Sequence, residues 1–263
     1  MHPSFLLTDN AENIDSMFEG CSGLTTIGNT FTVPSSCIEH ANNVFKDCHS
    51  LKTIPNTLTL INTQNSVSGF FENCSSLIEI PNTFSLNSNI KNIDHIFKNC
   101  YNINTISENI SFGNSLSSAV EAFYNCSSII EFSEELIETT PNTIISLSST
   151  FENCFNLTKI PSGLTLKDIN TNICLDKTFK NCNKLVFENT FELPLSAASC
   201  IETFAHCYEI KIPYVGIFLP SSVNYSGMFS NCINLINFTN ENIQLYNEAK
   251  DISYIFENCS SLI

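Results

Sequence analysis

The stretch Ile93-Asp94-His95-Ile96-Phe97-Lys98-Asn99-Cys100-Tyr101-Asn102-Ile103-Asn104-Thr105-Ile106 carries the pattern that decides the fold, Phe-x-x-Cys-x-x-Leu/Ile. Ten copies run the length of the 263-residue chain. Their Phe–Cys pairs are Phe18–Cys21, Phe45–Cys48, Phe71–Cys74, Phe97–Cys100, Phe123–Cys126, Phe151–Cys154, Phe179–Cys182, Phe204–Cys207, Phe229–Cys232 and Phe256–Cys259. Successive motif cysteines lie 27, 26, 26, 26, 28, 28, 25, 25 and 27 residues apart. A period in the twenties held this closely predicts a solenoid whose stacked turns share one core. No composition shift interrupts it, so residues 1–263 read as one elongated domain of about ten turns, the last incomplete.

Aligned on the cysteine, the copies give columns with distinct roles. Four residues before each Phe stand Ile14, Ala41, Val67, Ile93, Ala119, Leu147, Leu175, Cys200, Tyr225 and Ile252. With the Phe and the Cys, the spacing is i, i+4, i+7, which predicts one buried stripe on a two-turn helix. The residue before the motif Cys is Asn in seven copies (Asn73, Asn99, Asn125, Asn153, Asn181, Asn231 and Asn258), with Gly20, Asp47 and His206 in the others. Asn, Gly and Asp tolerate the left-handed conformation, so this column reads as the helix stop. A first strand follows, with Leu or Ile three residues after the Cys and Ile three further on. A second strand has inward residues two apart, as in Phe31 and Val33, Leu58 and Leu60, or Phe84 and Leu86. The expected fold is an α/β repeat, with a short helix and short parallel strands in each turn.

The chain carries 26 acidic and 11 basic residues, a net charge of −15, and every basic residue is a lysine. The absence of arginine argues against nucleic acid as a partner, because base and phosphate recognition lean on basic patches and bidentate Arg contacts. No apolar run approaches the roughly 18 residues a membrane span requires. Residues 1–10 have no basic region and only a short apolar stretch, unlike a secretion signal. The final repeat stops at Ile263 before its strands, so either the chain is part of a longer protein or a partner covers that rung.

The columns Phe-x-x-Cys-x-x-Leu-x-x-Ile, with Ile-Pro-Asn-Thr-Phe-x-Leu (Ile80 to Leu86), resemble the BspA-like leucine-rich-repeat surface proteins. The stretch Met228 to Leu235 is similar to the mycoplasma-type surface repeats of about 26 residues. The resemblance covers Ile14 to Ile263. It implies a leucine-rich-repeat solenoid, placement at the cell surface or in the secreted fraction, and adhesion to host or microbial proteins. It carries across no catalytic residue and no cofactor.

Thirteen cysteines are present, ten in the motif plus Cys37, Cys174 and Cys200. No close Cys-x-x-Cys pair suggests a metal site. The motif column falls on the buried stripe, where Cys behaves as a small hydrophobe. Reduced thiols are the favoured reading, with disulfides between adjacent rungs the alternative. His2, His40, His49, His95 and His206 occupy different columns and do not converge. Without an acidic column or a nucleophile–base pair, the sequence reads as non-enzymatic.

Two faces are candidates for binding. Thr30, Thr32, Thr57, Thr59, Thr83 and Ser85 alternate with inward residues and form a ladder of small hydroxyls, suited to a glycan or to ice. The variable loops at Ser133 to Thr140 and Lys167 to Thr171 suit a protein. Several Asn-x-Ser/Thr triplets, including those at Asn73, Asn125 and Asn258, offer glycosylation acceptors in a secreted protein.

Overall fold

Each motif closes as a run of overlapping β-turns. In the fourth rung the N–H groups of Ile96, Lys98, Cys100 and Ile103 donate to the carbonyls of Ile93, His95, Phe97 and Cys100, at 3.0 to 3.2 Å. The alternate N–H groups leave the rung. Those of Ile93, His95, Phe97 and Asn99 donate to the carbonyls of Ser118, Val120, Ala122 and Tyr124 in the next one, at 2.8 to 3.0 Å. The pattern recurs along the chain, and each rung is named here by its motif Phe, from rung 1 (Phe18) to rung 10 (Phe256). The computed structural model describes residues 7, 10–37, 40–58, 60, 65–81, 83–84, 86, 89–106, 115–132, 143–161, 164, 172–187, 196–211, 217–219, 223–236, 243–245 and 249–263.

Among these residues there is no α-helix, which corrects the expected helix at the Phe-x-x-Cys segment. The physical reason is a pair of left-handed residues in every rung, four positions apart. One is the Asn column, with positive φ at Gly20, Asp47, Asn73, Asn99, Asn125, Asn153, Asn181, His206, Asn231 and Asn258. The other lies two residues before the Phe: Ser16, Asn43, Gly69, His95, Glu121, Ser149, Lys177, Glu202, Gly227 and Tyr254. A positive φ at the third position of a hydrogen-bonded turn is the type II signature, and it cannot be continued as a helix. Gly69 adopts the same left-handed conformation, and a Cβ there would also meet the Asn43 side-chain oxygen.

Parallel pairs are β1 (Glu79–Ile80) with β2 (Thr105–Ile106), in register Glu79 to Thr105, and β3 (Ile217–Leu219) with β4 (Ile243–Leu245), the latter two spanning inward pairs of the period-two pattern. Among the other described residues the pairing is by single bridges, Thr26 with Thr53, Leu60 with Leu86, and a column through Ser66, Asn92, Ser118, Ser146, Cys174, Ser199, Asn224 and Asp251. The product is a repeat solenoid held mainly by turns.

The core is built on the Phe and Cys columns, whereas Ile252, four residues before Phe256, is exposed. Phe rings stack from Phe18 to Phe256, with centroids 5.2 to 5.9 Å apart and planes within 21° of parallel. Phe45 through Phe229 are buried, while Phe18 and Phe256 are half-buried. Beside the rings the thiols are buried except at Cys21, which is exposed, and Cys174, which is half-buried. From Cys48 to Cys259 each motif Sγ donates to the Phe carbonyl of the preceding rung, at 3.0 to 3.2 Å. Thr150, Thr178 and Thr203 are also buried, and their hydroxyls reach core carbonyls, as Thr178 Oγ1 does to Leu147 at 2.9 Å.

Two outcomes follow for stability. Phe97→Ala, in a central rung with rings on both sides, should cost about 3–5 kcal/mol in chemical denaturation, and Phe256→Ala markedly less. Equal losses would contradict the stack. Burial pushes the Cys48 thiol up to about 11 and Cys154 up to about 12, from an ordinary 9.0. The folded chain therefore keeps protons that the unfolded chain releases above pH 9, so these thiols add no pH dependence below that pH and their contribution to stability is lost as pH rises towards the folded values. A fully buried thiol such as Cys154 adds a slope of up to ~1.4 kcal/mol per pH unit there. Melting curves taken across this range should drop from pH 9 upward, and a profile flat to pH 11 would refute it.

Candidate binding face

The Asn column and the histidines at 40, 49, 95 and 206 are occupied by structure, while His2 lies outside the described residues. Asn99 Nδ2 donates to Asn73 Oδ1 at 2.8 Å, Asn125 to Asn99 at 3.0 Å, Asn181 to Asn153 at 2.7 Å and Asn258 to Asn231 at 3.1 Å. Asn73 reaches Asp47 at 2.6 Å. A glycan on Asn73, Asn125 or Asn258 would replace one of the two Nδ2 hydrogens within this column. His95 lies 3.3 Å from Glu121, which also meets Lys98, and His40 lies 3.1 Å from Asp15. Among the described residues no three His, Cys, Asp or Glu side chains are placed to hold a metal ion.

A second polar column ties rungs through backbone contacts. Asp94 Oδ1 accepts from Ser118 Oγ at 2.6 Å and from the Val120 N–H at 2.7 Å. Asp176 does the same with Ser199 at 2.5 Å and Ile201 at 2.8 Å. These carboxylates bridge rungs through Oδ1.

Thr30, Thr32, Thr57 and Thr83 are exposed. Thr30, Thr57 and Thr83 stand in turns closed by Phe31 onto Gly28, Leu58 onto Pro55 and Phe84 onto Pro81, at 2.9 to 3.0 Å, rather than on the expected strand. Thr57 Oγ1 is bonded to the Asn29 carbonyl at 2.7 Å. Thr59, Ser85 and the loops at 133–140 and 167–171 lie outside the described residues.

A different face is the more distinctive one. The residue after the motif Cys sits in a β-turn, and the residue four after the Cys follows directly once that turn has closed. Both point outward. In rungs 2, 4, 6 and 8 the first of these columns carries a ring: His49, Tyr101, Phe155 and Tyr208. In rungs 3, 5, 7 and 9 the second column carries an aliphatic: Ile78, Ile130, Val186 and Ile236. Over rungs 3 to 8 the complementary places are small or polar, with Ser75, Ser127 and Asn183 in one column and Asn104, Thr158 and Lys211 in the other; the alternation ends at rung 9, where Ile233 is exposed beside Ile236. Exposure is 46% at Ile78, 42% at Tyr101, 54% at Ile130, 40% at Phe155, 37% at Val186 and 36% at Tyr208. The result is a staggered apolar stripe with a period of two rungs. Single exposed hydrophobics need no explanation, but a contiguous line of them marks an interaction surface. The signal was present in the aligned sequence, one and four residues after each Cys, and was hidden because neither column is apolar in every copy.

No family model and no curated protein matches this chain. Among solved structures it is similar to a leucine-rich repeat protein from Bacteroides ovatus, at 16% identity over 95% of this chain and 86% of that one, with a TM-score of 0.24. It is also similar to the plant peptide hormone receptor RGFR1 in complex with RGF2, at 13% identity over 88% of this chain and 52% of that one, with a TM-score of 0.23. The first belongs to the leucine-rich-repeat class that the motif resembles. TM-scores this low carry no argument about shape, and the repeat fold rests on the chain's own rung geometry.

Proposed function

We propose that this chain is a non-enzymatic protein-binding module of a cell-surface or secreted adhesion protein, and that it binds through the staggered apolar stripe. The observation that carries the reading is that stripe. It lines up rings and aliphatics at 36% to 54% exposure from rung 3 to rung 8. Such residues gain most from burial by a partner, and Tyr and aromatic anchors dominate protein interfaces. The leucine-rich-repeat resemblance supports the surface setting. An intracellular scaffold would use the same face, so the partner fraction decides between the two.

The test immobilises the purified chain and offers it extracellular matrix and cell-surface proteins, and separately cytosolic proteins. Saturable retention from the surface fraction alone is expected. The triple substitution Tyr101→Ser, Ile130→Asn, Phe155→Ser should weaken it about tenfold or more, as for loss of several anchors. Thr30→Lys with Thr57→Lys should leave it unchanged. Retention indifferent to the triple but lost with the threonines would move binding to the hydroxyl face, and retention from cytosol alone would favour the scaffold.

A further inference from the structure

We infer that the stripe is a self-complementary interface, through which two copies of this chain pack side by side and antiparallel, rung 5 of one against rung 6 of the other. The inference rests on the stripe being a protein-binding face and names its partner. A two-fold axis lying across the stripe between rungs 5 and 6 reverses the direction of the rod and sets each column opposite itself. Rung 3 then meets rung 8, rung 4 meets rung 7 and rung 5 meets rung 6. Within rungs 3 to 8 an odd rung always meets an even one, which is what an alternation of period two requires, and the matched span ends there, since rung 2 against rung 9 would set His49 against Ile233.

The side chains interdigitate in this arrangement. In the column after the Cys, Tyr208 faces Ser75, Phe155 faces Ser127 and Tyr101 faces Asn183. In the column four after the Cys, Ile78 faces Lys211, Ile130 faces Thr158 and Val186 faces Asn104. Each ring enters a gap in the other copy, and beside that gap stands an exposed aliphatic: Tyr208 by Ile78, Phe155 by Ile130 and Tyr101 by Val186. Sliding one rung would set ring against ring in the even rungs and small against small between them.

Charge selects the direction. One residue further along, Glu131 of rung 5 faces Lys159 of rung 6, both exposed, and the symmetry makes this pair twice. Glu79 of rung 3 comes beside Lys211 of rung 8, again both exposed. A parallel pair would also set large against small, but it would carry Glu131 and Lys159 to opposite edges. Aromatic side chains bury roughly 150–250 Å² when fully covered. At the exposures seen here the stripe offers roughly half of the ~800 Å² per partner of a standard interface, and the rim with Glu79, Glu131, Lys159 and Lys211 supplies the remainder.

The test is sedimentation of the purified chain across a concentration series. A monomer–dimer equilibrium is expected, abolished by Tyr101→Ser with Phe155→Ser. Lys159→Glu alone and Glu131→Lys alone should each weaken dimerisation about tenfold or more, because like charges then face one another twice. An equal mixture of these two variants should recover a dimer, since each supplies the sign the other lacks. Unchanged thermal melts would show that these surface substitutions leave the fold intact. A wild-type chain that stays monomeric throughout, or single variants that fail to recover on mixing, would overturn the inference. If the wild type is monomeric while stripe-dependent capture of surface proteins persists, the binding-face reading stands and only the self-pairing falls.

Discussion

Axial hydrogen bonds between peptide groups, one at every second residue of the motif, set the terms for the rest of this molecule. The carbonyl of Asn92 accepts from Val67 in the rung before, and the next N–H, on Ile93, donates to Ser118 in the rung after. Four such peptides in each rung form four spines along the rod, all pointing the same way. Aligned amides polarise one another and their dipoles add, as in an α-helix, although here the bonds join residues a full rung apart. A chain can present alternate N–H groups to one side only if it turns back repeatedly. The two left-handed residues per rung accomplish this, and the intervening N–H groups close the turns.

That geometry explains the choice of core residues. The Phe carbonyl accepts the turn bond from its own rung's Cys N–H, as Phe97 does from Cys100 at 3.1 Å. Its second lone pair meets the thiol of the next rung, Cys126, also at 3.1 Å. The position therefore calls for a small side chain with a weak donor that tolerates burial, and Cys meets all three demands. Desolvation holds these thiols in the neutral, donating form, well above their ordinary titration range at Cys100, Cys126, Cys182 and Cys207. The ring stack fills the space alongside.

Much of this was legible in the sequence, but the local conformation was not. The period, the Phe and Cys columns and the apolar residues of the strands all mark buried positions. The Asn column correctly signals a left-handed residue. The error lay in reading i, i+4, i+7 as a helix, because tandem turns put the same positions on one side. The decisive evidence would have been the second left-handed column, yet its residues include Glu121, Lys177, Glu202 and Tyr254, types with no preference for that region. A non-Gly residue there costs of order 1–3 kcal/mol and persists only where surrounding bonds over-determine it. Axial bonds such as that from the Glu121 N–H to Ser148 at 3.0 Å are that surrounding force, and they are invisible until the rungs are stacked.

The binding face was harder to see for a related reason. Core columns repeat in every rung because each rung must present the same residue to its two neighbours. A column that alternates between large and small cannot come from that requirement, since the interior of rung 4 differs little from that of rung 5. Tyr101, Phe155 and Tyr208 alternate with Ser75, Ser127 and Asn183, while Ile78, Ile130 and Val186 alternate out of phase with Asn104, Thr158 and Lys211. Across rungs 3 to 8, two exposed columns with the same doubled period and opposite phase point to a cause outside the rod. The partner that meets this constraint most simply has the same rung spacing and the same alternation, and a second copy of the chain has both.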